Sequence, residues 1–181
     1  MRLQGQLLAI ASSEYNLLLE AAKRKVAEGN YQDAILFYQQ ALDRAGDTTA
    51  TFIIDQRGQQ AQAGLEEAIT LSESSSAFTA AMSLAQRLEA NSQANDNDLL
   101  SAKSNYQQAI AKAANEAQGA NARTGLARVN NKLKVRAAKY KERAILRNIA
   151  NGNQAACDIL RQALRLDPAS KEIKALLENC N

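Results

Sequence analysis

The chain has 181 residues, with 22 Lys+Arg against 19 Asp+Glu, one Pro, no His and no Trp. This length holds one compact domain or a short repeat array, and the missing histidine removes the commonest general base and metal ligand. Hydrophobic residues make up 46% but aromatics only 4%, so the core must be built from Ala, Leu, Ile and Val, and the dominance of good helix formers points to an all-α protein.

The N-terminus, "MRLQGQLLAIASSE", has one Arg and a short apolar run, Leu7–Ala11. A secretory signal needs a longer apolar core. The segment reads instead as a helix start or as the cut edge of a longer protein. No stretch approaches the ~20 apolar residues of a membrane span.

Leu17, Leu18, Ala21, Ala22 and Val26 follow a helical period. "EGNY" interrupts it, with Gly29 suited to the left-handed residue that ends a helix. A second helix carries Tyr31, Ala34, Ile35, Tyr38, Ala41 and Leu42 at spacings of three and four, and "AGDTT" ends it. The two form a helical hairpin over 14–45. Farther on, Thr48–Leu71 and Ser75–Ala90 read as a second pair, 48–92, with "SESSSA" at Ser72–Ala77 as the polar turn between them. "LEANSQANDND", Leu88–Asp98, lacks an apolar period and reads as a loop, with Asn97 or Asp98 capping the next helix. Further hairpins are expected over 97–150 and 152–179.

Two echoes run through the chain. "YQQALDRA" at Tyr38–Ala45 returns as "YQQAIAKA" at Tyr106–Ala113, and "QAGLEEA" at Gln62–Ala68 returns as "RTGLARV" at Arg123–Val129. The frame Ala34, Tyr38, Ala41 recurs at Ala102, Tyr106, Ala109 and at Ala156, Leu160, Ala163, the last followed by Pro168. Small residues let two helices approach, and the aromatic fills the groove between them.

On these residues the chain resembles the tetratricopeptide repeat (TPR) family, whose second helix carries A-x3-F and a closing Pro. Ala22 takes the small position of the first helix. Leu18 stands where the family often has Trp, Lys25 where it has Tyr, and Gly46 where it has Pro. Successive frames lie 68 and 54 residues apart, against ~34 in the family. The resemblance implies a single domain, 1–181: a TPR-like α-solenoid of antiparallel helix pairs that binds a protein or peptide on its concave surface. Asn16, Lys23, Asn30 and Gln39, on the polar face of the first hairpin, are candidate contacts. The family's carboxylate clamps use a set of Lys, Asn and Arg positions that this chain does not match in full.

Residues 119–181 carry 13 Lys+Arg against 5 Asp+Glu, net +8, whereas 1–118 carry 9 against 14, net −5. The excess concentrates in Asn121–Ala150. There, Ala122, Leu126, Val129, Leu133, Ala137, Tyr140 and Ala144 form an apolar stripe, and Arg128, Lys132, Arg136, Lys139, Arg143 and Arg147 fall within ~100° of arc beside it. This is either the solvated face of a long helix or a basic ridge that meets an acidic protein, an acidic part of another copy, or a phosphate backbone. Tyr140 is the ridge's one aromatic, too few for base stacking, which disfavours nucleic acid.

Cys157 lies 10 residues before Asp167, and Cys180 lies 12 after Pro168. Helices antiparallel about "DPA" bring the two within reach of a disulfide; the alternative is one buried and one exposed free thiol. A bridge implies an oxidising compartment, periplasmic or envelope-associated; free thiols fit the cytoplasm. Two Cys without His make no ordinary structural zinc site, and no phosphate-binding glycine motif occurs. Neither a cofactor nor a metal is expected. The Ser72–Ala77 serines have no accompanying base, and paired acids such as Glu66–Glu67 point to different helix faces, so no enzyme is expected. The function these features imply is a protein-interaction scaffold or adaptor, in one reading the interaction domain of a larger bacterial envelope or assembly protein. The alternatives are a nucleic-acid-associated helical protein and a structural oligomerisation domain.

Overall fold

The computed structural model describes residues 2–46, 51–147 and 153–180, with side chains for 12–45, 58–147 and 153–180. The expected helix ends at "AGDTT" and at 148–150 lie partly or wholly outside these residues. The protein is all-α: seven helices and a closing 3-10 turn, with no strand among the described residues. The helices are α1 (Arg2–Ala27), α2 (Tyr31–Gly46), α3 (Thr51–Ala90), α4 (Asp96–Lys112), α5 (Glu116–Leu146), α6 (Gln154–Leu166) and α7 (Lys171–Leu177). The packing forms two compact units, Met1–Ser76 and Ala77–Asn181.

In the first unit α1 and α2 pack as a hairpin. Gly29 sits at φ +74°, a conformation in which a Cβ would be strained. The Asn30 N–H donates to the Lys25 carbonyl at 2.9 Å and the Gly29 N–H to Val26 at 3.0 Å, the paired bonds of a Schellman motif that satisfy the end of α1. Asn30 then opens α2: its side chain accepts from the Asp33 N–H at 3.4 Å and donates to the Asp33 carboxylate at 2.6 Å. The core joins Tyr15, Leu19 and Ala22 of α1 and Ala34, Tyr38 and Ala41 of α2 to Ala61, Leu65 and Ala68 of α3.

The turn expected at Ser72–Ala77 is absent, because α3 runs unbroken through it. The apolar positions Ala61, Leu65, Ala68, Phe78, Met82 and Ala85 are all buried. Half-buried Ser72 and Ser75 fall on the same stripe, so the helical period passes through the serines intact. Without Gly or Pro between Leu65 and Ala90, nothing obliges the helix to stop. Gln32 on α2 also donates to the Ser72 hydroxyl at 2.9 Å.

The second unit is built from the C-terminal part of α3 with α4 to α7. Its largest buried side chains include Tyr106, Val129, Leu133, Leu160 and Ile173. The cap of α4 is Asn95, not the expected Asn97 or Asp98, two and three residues further on. Asn95 accepts from the Asp98 N–H at 3.0 Å, and Asp98 accepts from the Asn95 N–H at 2.8 Å, a reciprocal capping box that uses Asp in the place of the usual Glu. Asn115, Asn153 and Ser170 cap α5, α6 and α7, each accepting a backbone N–H of the first turn. The apolar stripe of α5 is buried at Ala122, Val129, Leu133, Ala137 and Ala144, joined by Gly125. Cys157 at the start of α6 and Cys180 past α7 form a disulfide-distance pair with Cα atoms 5.8 Å apart.

The two sequence echoes meet in space. The Tyr38 ring occupies the position that a Cβ on Gly64 would take, and the Tyr106 ring does the same at Gly125. Each octapeptide thus supplies the aromatic, and each "GL" segment supplies the gap that receives it.

Candidate interaction surface

The second unit holds the most developed polar arrangement, centred on two carboxylates that α5 reaches with its basic residues. Glu89, in the last turn of α3, has a side chain only 9% exposed. It takes both Arg128 nitrogens, Nε at 3.0 Å and Nη2 at 3.1 Å, and the Tyr106 hydroxyl at 2.6 Å. Lys132 Nζ lies 3.4 Å from the same carboxylate and donates to the Glu89 backbone carbonyl at 3.1 Å. A cation on that carbonyl also counters the negative end of the α3 dipole. Burial alone would raise the Glu89 carboxyl, but the hydrogen bonds from Arg128 and Tyr106 and the charges of Arg128 and Lys132 prevail and lower it to about 2. Burial and the neighbouring carboxylate push the Tyr106 hydroxyl up to about 12.

Asp96, in the first turn of α4, is the second node. It accepts from Arg136 at 2.8 Å, from the Tyr140 hydroxyl at 2.8 Å and from Gln162 of α6 at 3.2 Å. Arg136 also donates to the Ala94 carbonyl. Gln162 donates to the Tyr140 oxygen at 3.1 Å. Burial opposes ionisation of Asp96, yet Arg136 and Tyr140 outweigh it and hold the carboxyl below its ordinary value. One network thereby ties α4, α5 and α6 together.

Of the basic ridge, Arg128, Lys132 and Arg136 therefore point at partners within the chain. Arg143 lies over the Tyr140 ring, 5.8 Å from its centroid, a cation–π distance. Lys139 is exposed and has no ion-pair partner among the described residues. Arg147 ends α5 as its cap. Lys132, Arg136 and Lys139 line a groove of about 470 Å³ together with Val135, Leu99 and the 89–94 connection. Val135 is 50% exposed. The groove thus joins an apolar wall to cations, two of which are held in place by internal carboxylates.

The four candidates of the first hairpin do not form a comparable site. Lys23 pairs with Glu20 on its own helix at 2.9 Å. Asn30 caps α2, and Asn16 and Gln39 are simply exposed. The groove between α1 and α2 is lined by other residues, Glu14, Leu17, Leu18, Gln40, Asp43 and Arg44.

Glu89, Asp96, Tyr106 and Val135 were not singled out as site residues from the sequence. One signal pointed to Glu89: an acid in the last turn of a helix opposes the dipole unless a cation attends it. Asp96 in a first turn is ordinary and gave no such signal.

Among the described residues no group of His, Cys, Asp and Glu could hold a metal ion, and no helix is long and apolar enough to cross a membrane. No family model matches the sequence, and neither a curated protein nor a solved structure matches it.

Proposed function

We propose that this chain is a non-catalytic protein-interaction scaffold, made of helix pairs akin to tetratricopeptide repeats, whose basic groove on α5 takes an acidic segment of a partner protein. The observation that carries the reading is the state of the ridge. Arg128, Lys132 and Arg136 are fixed by Glu89 and Asp96, while Lys139 beside them stays exposed next to the bared Val135. Cations already held in place lose little side-chain entropy when a carboxylate arrives, and an exposed apolar wall supplies contact area that a purely solvated face lacks. The disulfide-distance pair supports an oxidising compartment, such as a bacterial cell envelope.

The test is capture from source-cell extract by the wild-type chain and by a Lys139→Glu/Arg143→Glu variant, each with and without nuclease. Neither side chain pairs with Glu89 or Asp96 and neither lies in the core, and circular dichroism of the variant checks that the fold is kept. A protein retained through nuclease and lost by the variant supports the scaffold. Loss on nuclease alone overturns it in favour of nucleic acid, whose binding also falls steeply with salt.

A further inference from the structure

On α3 of the first unit, Glu66, Ile69 and Glu73 stand at i, i+3 and i+7, which places them on one helix face. All three are exposed, Ile69 to 39%. Glu66 accepts from Gln62 at 2.8 Å, and no cation pairs with Glu66 or Glu73 among the described residues. On α5 of the second unit, Lys132, Val135 and Lys139 have the same spacing, again with the apolar residue in the middle. Both stripes therefore read charge, apolar, charge, with opposite sign. The units that carry them are opposite too: residues 1–76 hold 6 Lys+Arg against 10 Asp+Glu, net −4, and residues 77–181 hold 16 against 9, net +7.

We propose that the occupant of the α5 basic face is a second copy of this chain, docked by its α3 stripe. Ile69 covers Val135, and Glu66 and Glu73 meet Lys132 and Lys139. Two exposed branched side chains that each lack a covering neighbour gain one; Glu66, Glu73 and Lys139 find partners of opposite sign at matching intervals along two helices, and Lys132, held by Glu89, adds its charge to the contact. Matched patterns of this kind set partner choice more than affinity, so the contact is reversible and sensitive to salt. The proposal rests on the reading of the α5 face as a binding face, and it names what binds.

Sedimentation equilibrium on the purified full chain, from about 1 to 100 μM, tests it in 50 and 500 mM NaCl. The expected result is concentration-dependent association at low salt that weakens by about tenfold or more at high salt. Lys139→Glu/Val135→Ala and Glu66→Lys/Glu73→Lys should each be monomeric over the same range. Circular dichroism should match wild type, since none of these side chains lies in the core. Mixed in equal amounts, the two variants should associate again, because the first keeps an intact α3 stripe and the second an intact α5 stripe. A monomeric wild type overturns the proposal, as does association that both variants retain, or a mixture that stays monomeric. None of these results decides the capture experiment, in which a foreign protein lost by the Lys139→Glu/Arg143→Glu variant would keep the α5 face as a binding site while its self-contact failed.

Discussion

The ring of Tyr106 fills the space in which a Cβ on Gly125 would stand, and Tyr38 stands in the same relation to Gly64. The glycine in each "GL" segment is therefore a close-approach residue, since its backbone conformation is helical and needs no special freedom. Gly125→Ala gains about 1 kcal/mol of helix propensity, but overpacking against a buried ring costs about 1–3 kcal/mol. Gly125→Ala and Gly64→Ala should accordingly destabilise the protein in urea titrations. Gly58→Ala should stabilise it by up to about 1 kcal/mol, because a Cβ there meets nothing within 4 Å. A double-mutant cycle of Gly125→Ala with Tyr106→Leu should show positive coupling, the smaller side chain relieving the clash.

Continuity of α3 through the serines makes a different prediction from a turn at the same place. Ser76→Pro removes a backbone donor and sets the ring against the carbonyl four residues earlier, a cost of about 3 kcal/mol or more inside a helix. A turn would absorb the same change with little loss. Thermal denaturation followed by circular dichroism distinguishes them, and a Ser76→Pro variant as stable as wild type would contradict an unbroken α3.

What the sequence made legible was composition and periodicity. The all-α class follows from the dominance of helix formers, the Gly29 break from the one residue type suited to a left-handed helix end, and the buried stripe of α5 from spacing, because burial at intervals of three and four leaves a direct trace in residue type. The two "YQQA" segments were legible as a repeated packing frame, but their glycine partners were not, since the tyrosine and the glycine lie in different helices and no local pattern links them. The polar turn was misjudged for a related reason: Ser72 and Ser75 are polar by composition yet sit on the inward stripe. The basic ridge was legible as an arc of charge. Its internal engagement was not, because Glu89 and Asp96 lie about 40 residues before the side chains they hold, and pairing at such separations is decided by tertiary packing.

Cys157 and Cys180 anchor the last helix, in which Ile173 is the one buried side chain. Closing a loop of 23 residues restricts the unfolded chain and is worth about 2–4 kcal/mol in the entropic account. Dithiothreitol or a Cys157→Ser/Cys180→Ser variant should lower the melting temperature by several degrees. Thiol titration of the unreduced, denatured protein should find no free thiol; a count of two would remove both the bridge and the argument for an oxidising compartment.

Glu89 gives the protein a predictable response to acid. Its carboxyl is lowered from the ordinary 4.5 to about 2, so the unfolded chain takes up a proton at a higher pH than the folded one. The stability that Glu89 contributes is complete above about pH 4.5 and is lost as the pH falls towards 2. Asp96, lowered for the same reason by Arg136 and Tyr140, adds loss of the same sign. Urea titrations between pH 6 and pH 2.5 should therefore show a steady fall in stability. Glu89→Gln should flatten that fall while lowering stability at pH 6 by about 1–3 kcal/mol, as Arg128 and the Tyr106 hydroxyl lose a charged acceptor. Tyr106→Phe, which removes one of the bonds that hold the carboxyl down, should move the loss to higher pH. A Glu89→Gln protein with the wild-type acid profile would mean that the Glu89 node does not hold α3 to α4 and α5.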